Sequence, residues 1–582
     1  MTSTGDRRTG AGRRGRGVLL LLLLATLGTG HGRADGPPAD TAMAQAHAAL
    51  ARGDGIAAEM ALRKAMAAGA PHDAVAARMG EAYLDQGDTV KAREWLGPGR
   101  FVPSEEAHGF RVLGRLEMAE GNLAAAGQAF DRALQRTPDD SRLWVDIARL
   151  RYAGGEQVQA IAATDRAVAL DPANVRALEY RGLLLRDQQG LTAALPWLEA
   201  GLKAKPDDLA LLGEYAATLG ELGRARQMVT VTRRMLELDP KNGRAFFLQA
   251  VLAARAGNVD LARALIGRAG TAAEAPAGLL LFGTLELQAG NANHAAEMLE
   301  RLSALQPDNR TARLLLARAL DATGERRTLV DRFEGEALRP DASPYLQTLV
   351  ARALEDLGQR ERAAPLLDRA ARAGATPILP LSPTGDGPPA QVRQFLGAGN
   401  LAEADAVAAR VRNAAPGSAD AQRLYGDVRF ARGDLAGAVE AWRVAATVAL
   451  TDDLLLRFVD ALLKAGRADE AERLVSGALA TSPRDRAALR LSAGLAARRG
   501  DWGRAATVLA YLARTGDAAD ARVQSDLSFA RLNRGDLAGA RQAAEQAFRL
   551  QRASPAASRA LGLVLQKQHQ SAEDAQALLH KA

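Results

Sequence analysis

The chain contains no cysteine. That excludes disulfides, thiolate metal sites, a cysteine nucleophile and a lipidated cysteine anchor. Aromatic residues make up only 4% of 582 residues, too few for one large aromatic core, and the length exceeds a single ordinary core in any case. Alanine dominates instead, which suits many small-residue helix contacts. Histidine is scarce, with His31, His47, His72, His108, His294, His569 and His580 scattered along the chain. A metal site needs two or three such ligands converging, so none is expected. There is no Gly-x-x-x-x-Gly-Lys phosphate loop, no His-Glu-x-x-His helix and no Gly-x-Ser-x-Gly elbow. The "GDG" (53–55 and 385–387) and "GPG" (97–99) glycines follow no strand that could build a nucleotide cradle. The chain therefore reads as a non-enzyme without cofactor.

An excess of one charge is also lacking once the N-terminus is set apart. The full chain has 75 basic and 68 acidic residues, a net +7. Residues 1–34 hold six arginines and one aspartate, leaving 69 against 67, or +2, for the remainder. Nothing in that balance points to nucleic acid. Arg7, Arg8, Arg13, Arg14 and Arg16 precede the apolar run "VLLLLLLATL" (18–27), and "GRA" (32–34) supplies small residues for a cut after Ala34. The run is shorter than the ~20 residues of a membrane span. Residues 1–34 are thus expected to be a signal peptide, exporting a chain with no membrane span to the periplasm. The alternative is an uncleaved signal anchoring it to the inner membrane. The paired arginines lack the rest of a twin-arginine signal.

What the sequence does have is a repeat. Pro138, Pro172, Pro206 and Pro240 each end an amphipathic run and stand 34 residues apart. Glycines mark a second series at 53, 87, 121, 155, 190, 223, 257, 290, 324, 358, 399, 433, 466, 500 and 535, with His569 where a sixteenth would fall. Every step is 33 to 35 residues except that from Gly358 to Gly399. In residues 107–140, Phe110, Leu113, Gly114 and Glu117 follow the spacing of one helical face. "EGN" (120–122) breaks that helix, and Ala126, Phe130 and Ala133 form the face of a second, which Pro138 and Asp139 end. Gly114 and Ala126 are small so that the two antiparallel helices can approach. The next unit repeats this with Trp144, Ile147, Ala148, Ala160 and Ala167. Phe130, Trp144, Phe246 and Trp442 all fall on packing positions.

The order Phe110, Leu113, Gly114, Ala126, Phe130, Ala133, Pro138 resembles the tetratricopeptide repeat, an aromatic, Leu-Gly, Ala, aromatic, Ala, Pro pattern of 34 residues. The resemblance runs from about residue 39 to the C-terminus and is strongest in 107–258 and 419–545. Glu117 departs from it, where an aromatic is usual, as does "LGPGRFVPSEE" (96–106), where Gly97, Pro98 and Gly99 truncate a second helix. The resemblance implies an all-α fold, a right-handed α-α superhelical solenoid of about 15–16 helix pairs. Each pair buries its apolar face on its neighbours, so stability is a chain of nearest-neighbour terms. About ten units are expected in 35–374 and about six, with a C-terminal cap at 571–582, in 391–582. Between them, 375–390 holds Pro377, Pro380, Pro383, Pro388 and Pro389 and is expected to be non-helical. It reads as a surface excursion or as a linker or hinge, kinked but not freely flexible.

The pairs Asp139–Asp140, Asp207–Asp208 and Asp452–Asp453 fall at joints between units, where aspartate caps helices. In the family the first helix of each unit lines the groove. The fifth and ninth residues of the units place Arg111, Arg115, Arg149, Arg318, Arg352, Arg423 and Arg490 there, interrupted by Asp427 and Asp460. Such a stripe would offer forked donors to carboxylates or sugar acids. The lysine-and-asparagine clamp by which some family members hold a chaperone's terminal carboxylate is not evident. Phe247 and Phe529 are the aromatics on the stripe, sparse for a sugar track. The expected function is a non-catalytic scaffold in the bacterial cell envelope, holding partner proteins or peptides in the groove. A common setting for exported arrays of this kind is an envelope machine that secretes polysaccharide or assembles surface polymers, which the architecture alone does not select. Relatives with a C-terminal β-barrel need alternating strands after the repeats; these repeats end in helix, so an export pore is expected to be a separate protein. Direct binding of an acidic polysaccharide along the groove is the alternative, and a glycan-processing catalytic domain finds no unassigned residues.

Overall fold

A computed structural model describes residues 38–339, 342–372, 387–515 and 520–582. The expected signal peptide and residues 375–386 of the proline-rich segment lie outside them. Among the described residues there are 33 helices and no strand. Most are 13 or 14 residues long and pack against the helices before and after them.

The repeat is built at its turns. All fifteen expected turn glycines have positive φ, between +72° and +97°, a region closed to most side chains and open to glycine. His569 holds the equivalent position with φ +54°. At two of the joints, the second residue of the aspartate pair caps the next unit's first helix and the first is tied to that unit's second helix. Asp140 accepts from the Arg142 amide at 2.8 Å and Asp139 from Arg166 Nη2 at 2.9 Å. Asp208 accepts from the Ala210 and Leu211 amides, and Asp207 from Arg234 Nη2 at 2.8 Å. Asp452 and Asp453 differ: Thr451 stands at the cap, and both aspartates sit in the first turn, where the helix dipole still favours them.

The small residues sit where expected. A Cβ on Gly114 would collide with the Phe130 ring, itself 1% exposed, and one on Gly426 would meet the fully buried Trp442 indole. Trp144 is only half-buried, its indole N–H donating to the Pro138 carbonyl at 2.8 Å. Glu117 replaces the usual aromatic with a buried ion pair: it accepts from Arg93 Nη1 and from Asn122 Nδ2. Glu286 repeats the arrangement with Arg263 Nε at 2.6 Å and Asn291 Nδ2 at 2.7 Å. The truncation at Gly97 leaves an eight-residue helix, Thr89–Leu96. A second short helix, Val259–Ile266, is followed by the single turn Thr271–Glu274.

By contact, the chain divides into residues 1–136 and 137–582. The described repeats just before and after 375–390 fall within the second of these units. Pro388 and Pro389, expected in the non-helical stretch, form the first turn of the helix Pro388–Gly397. Their missing N–H groups cost nothing there, because the first turn has no acceptor for them.

Within residues 137–582 the later repeats run alongside the earlier ones in the same order. The turn at Gly190 lies against Thr447, that at Gly223 against Thr481, and that at Gly257 beneath Arg484. Further on, Arg352 Nη2 donates to the carbonyls of Arg549 and Leu550, and Gln551 Nε2 to that of Leu367 at 3.2 Å. These polar contacts join residues 184 to 198 apart in sequence, which is more than five repeats. Successive turns of a superhelix touch in this way.

Candidate functional site

The seven arginines of the first-helix stripe have different surroundings, and most face acids about one unit away. In residues 1–136, Arg111 and Arg115 both approach Glu81, at 3.7 and 3.3 Å, with His108 Nε2 at 3.0 Å from the same carboxylate. Burial opposes the ionisation of Glu81, but the His108 contact and the two guanidiniums outweigh it and hold its carboxyl at about 2.

In residues 137–582, Arg423 donates to Asp453 at 2.7 Å, and Arg457 to Asp427 at 2.7 Å and Asp453 at 3.3 Å. Arg490 reaches Asp520 at 3.3 Å and Asp526 at 3.6 Å. Arg352 pairs with Glu355 while holding the Leu550 carbonyl. Arg149 is the more open: 44% exposed, 3.4 Å from Asp146 and stacked over the Tyr180 ring. An acid lies beside six of the seven: for Arg111, Arg115, Arg423 and Arg490 it belongs to a neighbouring unit, whereas Arg149 and Arg352 pair within their own helices. Of the aromatics, Phe529 packs edge-on against Trp502, and Phe247 against the buried Phe246 cluster.

Arg318 is placed differently. It lines an open cavity of about 630 Å³ where two turns of the array meet, together with Arg255, Arg484, Arg486 and Arg514. The earlier turn supplies Arg255, from the last turn of Gly243–Ala256, and Arg318, from Arg310–Thr323. The later turn supplies Arg484 from the joint between units, Arg486 from the start of Arg486–Arg498, and Arg514 from the end of Trp502–Arg514. Asp485 is the carboxylate in the lining, and it caps its own helix by accepting from the Ala488 amide at 2.7 Å. Two of the guanidiniums are fixed by one edge: Arg255 Nη1 donates to the Gly220 carbonyl at 2.7 Å, and Arg486 Nη1 to that of Thr515 at 3.0 Å. Arg318, Arg484 and Arg514 form no ion pair among the described residues. Val259, Leu287 and Leu512 supply apolar wall, and Tyr511 one aromatic ring.

Sequence reasoning found Arg318 and missed the other four arginines. All four stand at helix ends or joints, and Arg255, Arg484 and Arg514 lie on the C-terminal side of a helix, where arginine has an ordinary role beside free carbonyls. Only the meeting of two turns makes them one site. Among the described residues, no three of His, Asp and Glu converge in a way that could hold a metal, and no helix is long and apolar enough to cross a membrane.

Tetratricopeptide-repeat family models match residues 117–181, 280–325 and 456–521. "Cellulose synthase operon protein C" of Pseudomonas fluorescens (strain SBW25) is 27% identical over 165 residues, covering 27% of this chain and 13% of that protein. The protein of the same name from Xanthomonas axonopodis pv. citri (strain 306) is 27% identical over 314 residues, covering 52% of this chain and 19% of its own length. The chain thus spans a fifth or less of these relatives. Among solved structures, the APC/C heterotetramer Cut9–Hcn1 aligns with a TM-score of 0.40 and 12% identity, covering 93% of this chain and 92% of that one.

Proposed function

This chain is a tetratricopeptide-repeat protein, and from that premise we propose that it is a non-catalytic scaffold of the bacterial cell envelope. It binds partner proteins or peptides on the face made by its first helices, within a machine that secretes polysaccharide or assembles surface polymers. The observation that carries the scaffold reading is the array itself: helix pairs stacked on their neighbours recur through the described residues of both contact units. The relatives' name, cellulose synthase operon protein C, supports the polysaccharide setting. The basic, apolar run at 7–27 supports export to the periplasm, with anchorage by an uncleaved signal as the variant form.

A second reading is favoured by one observation, the convergence of five arginines on a single cavity. On that reading the protein holds an acidic polysaccharide directly. Photo-crosslinking in cells from the half-exposed Arg149, against a position on the second helices, separates the two. One dominant protein adduct in the envelope fraction, absent from the control, is the expected result. A smear of glycan, or no envelope adduct, overturns the protein-scaffold reading.

A further inference from the structure

Elsewhere in residues 137–582 the stripe arginines have acids beside them, which makes the cavity around Arg318 an exception. Five arginines line it against one carboxylate in the lining, that of Asp485, which caps its own helix and lies against Asp452. Two of them are held in place from behind by carbonyls, and Arg484 rests on the αL turn at Gly257. A cluster of like charge is stabilised by whatever anion enters, and guanidiniums fixed at one edge lose less freedom on binding.

The volume, about 630 Å³, is that of a ligand with several groups, well beyond one inorganic ion. Val259 and Leu287 belong to the same lining as the arginines, so an occupant that combines carboxylates with aliphatic groups matches it. A sugar acid brings ring faces that need aromatic platforms, and Tyr511 is the single one present.

We infer that this cavity binds an extended acidic peptide segment, glutamate or aspartate interleaved with aliphatic residues, belonging to a partner protein. This rests on the scaffold reading above and assigns it a contact region where the first-helix stripe, at Arg318, meets a later turn of the array. Because the walls come from two turns of the array, a bound segment also ties those turns together.

The test is titration of the full-length purified chain with an acetylated, amidated hexapeptide alternating glutamate and leucine, followed by calorimetry. Its glutamine counterpart and a trimer of galacturonic acid are titrated beside it. The expected result is binding of the glutamate peptide alone, weakened about tenfold by Arg318→Gln or Arg514→Gln and about a hundredfold by both. Both substitutions remove an unpaired cation, so helical circular dichroism and the urea midpoint are expected to hold, and the double variant to rise slightly. No binding of the glutamate peptide, or binding indifferent to the two substitutions, overturns the inference. A protein adduct from Arg149 would then leave the scaffold reading standing. Binding of the galacturonate trimer in place of the peptide overturns the inference in favour of the polysaccharide reading.

Discussion

Asp427 lies on the first helix Ala419–Ala431 with no exposed surface, and Arg457, one unit on, donates to its Oδ2 at 2.7 Å. Its other oxygen finds no hydrogen bond. Arg457 is shared with Asp453, which Arg423 also holds. Burial therefore wins over the pull of Arg457 and Arg423, and the Asp427 carboxyl is pushed up to about 6 from an ordinary 3.8. The folded chain keeps this proton to higher pH than the unfolded chain does. Its contribution to stability is thus greatest below pH 4 and is lost as the pH rises to about 6. Two pH units correspond to about 3 kcal/mol. Asp427→Asn keeps the volume and an acceptor for Arg457, but buries an N–H₂ where the free oxygen lay, at a cost of about 1–2 kcal/mol. The variant is expected to gain about 1–2 kcal/mol at pH 7 and to lose a similar amount at pH 4, where wild type is already neutral. Arrays unfold in parts, so hydrogen exchange of the Ala419–Ala431 amides is the suitable measure, with protection rising roughly 5- to 30-fold at pH 7. If the buried pair is instead a net source of stability, removing one partner costs about 3–5 kcal/mol. A loss at pH 7, or a difference equal at pH 4 and pH 7, would refute this account.

Glu81 predicts the opposite sign. Its carboxyl is held at about 2, so its stabilisation is present above pH 4.5 and disappears as the pH falls towards 2. Glu81→Gln should destabilise residues 1–136 by about 2–3 kcal/mol at pH 7 and by little near pH 2; equal urea midpoints at pH 7 would sink the idea. Gly114→Ala drives a methyl into the buried Phe130 ring and should cost about 1–3 kcal/mol, read as faster exchange in the helix Glu106–Ala119. His569→Gly removes a left-handed non-glycine residue and is expected to add about 0.5–1 kcal/mol. The helix Ala572–Lys581 should then exchange more slowly, and unchanged or faster exchange there counts against it.

What could be read from the sequence was set by how far apart the interacting residues lie. The turn glycines, the capping Asp140 and Asp208, and the close approach at Gly114 depend on neighbours within one unit, and the 34-residue period exposed them. His569 was legible for the same reason, since the period marked its place before the structure gave its φ. Glu117 could be seen as a departure, but its meaning needed Arg93 in the preceding helix. The arginine stripe was legible as positions and not as chemistry. Whether Arg423 is free or bound depends on Asp453, 30 residues on, and so on the register between stacked pairs.

The cavity around Arg318 lies further out of reach for a physical reason. In a solenoid the rotation from one helix pair to the next is small, and the path of the whole array is the sum of these steps. Over one step an error in that angle displaces little. Over the five or more units separating Arg352 from Leu550 it accumulates to the size of a helix diameter, about 10 Å. Contacts between turns are therefore the last feature a repeat sequence reveals. Arg255, Arg484 and Arg514 each look locally like an ordinary helix-end arginine. They become a charged site only because the array closes on itself at that pitch.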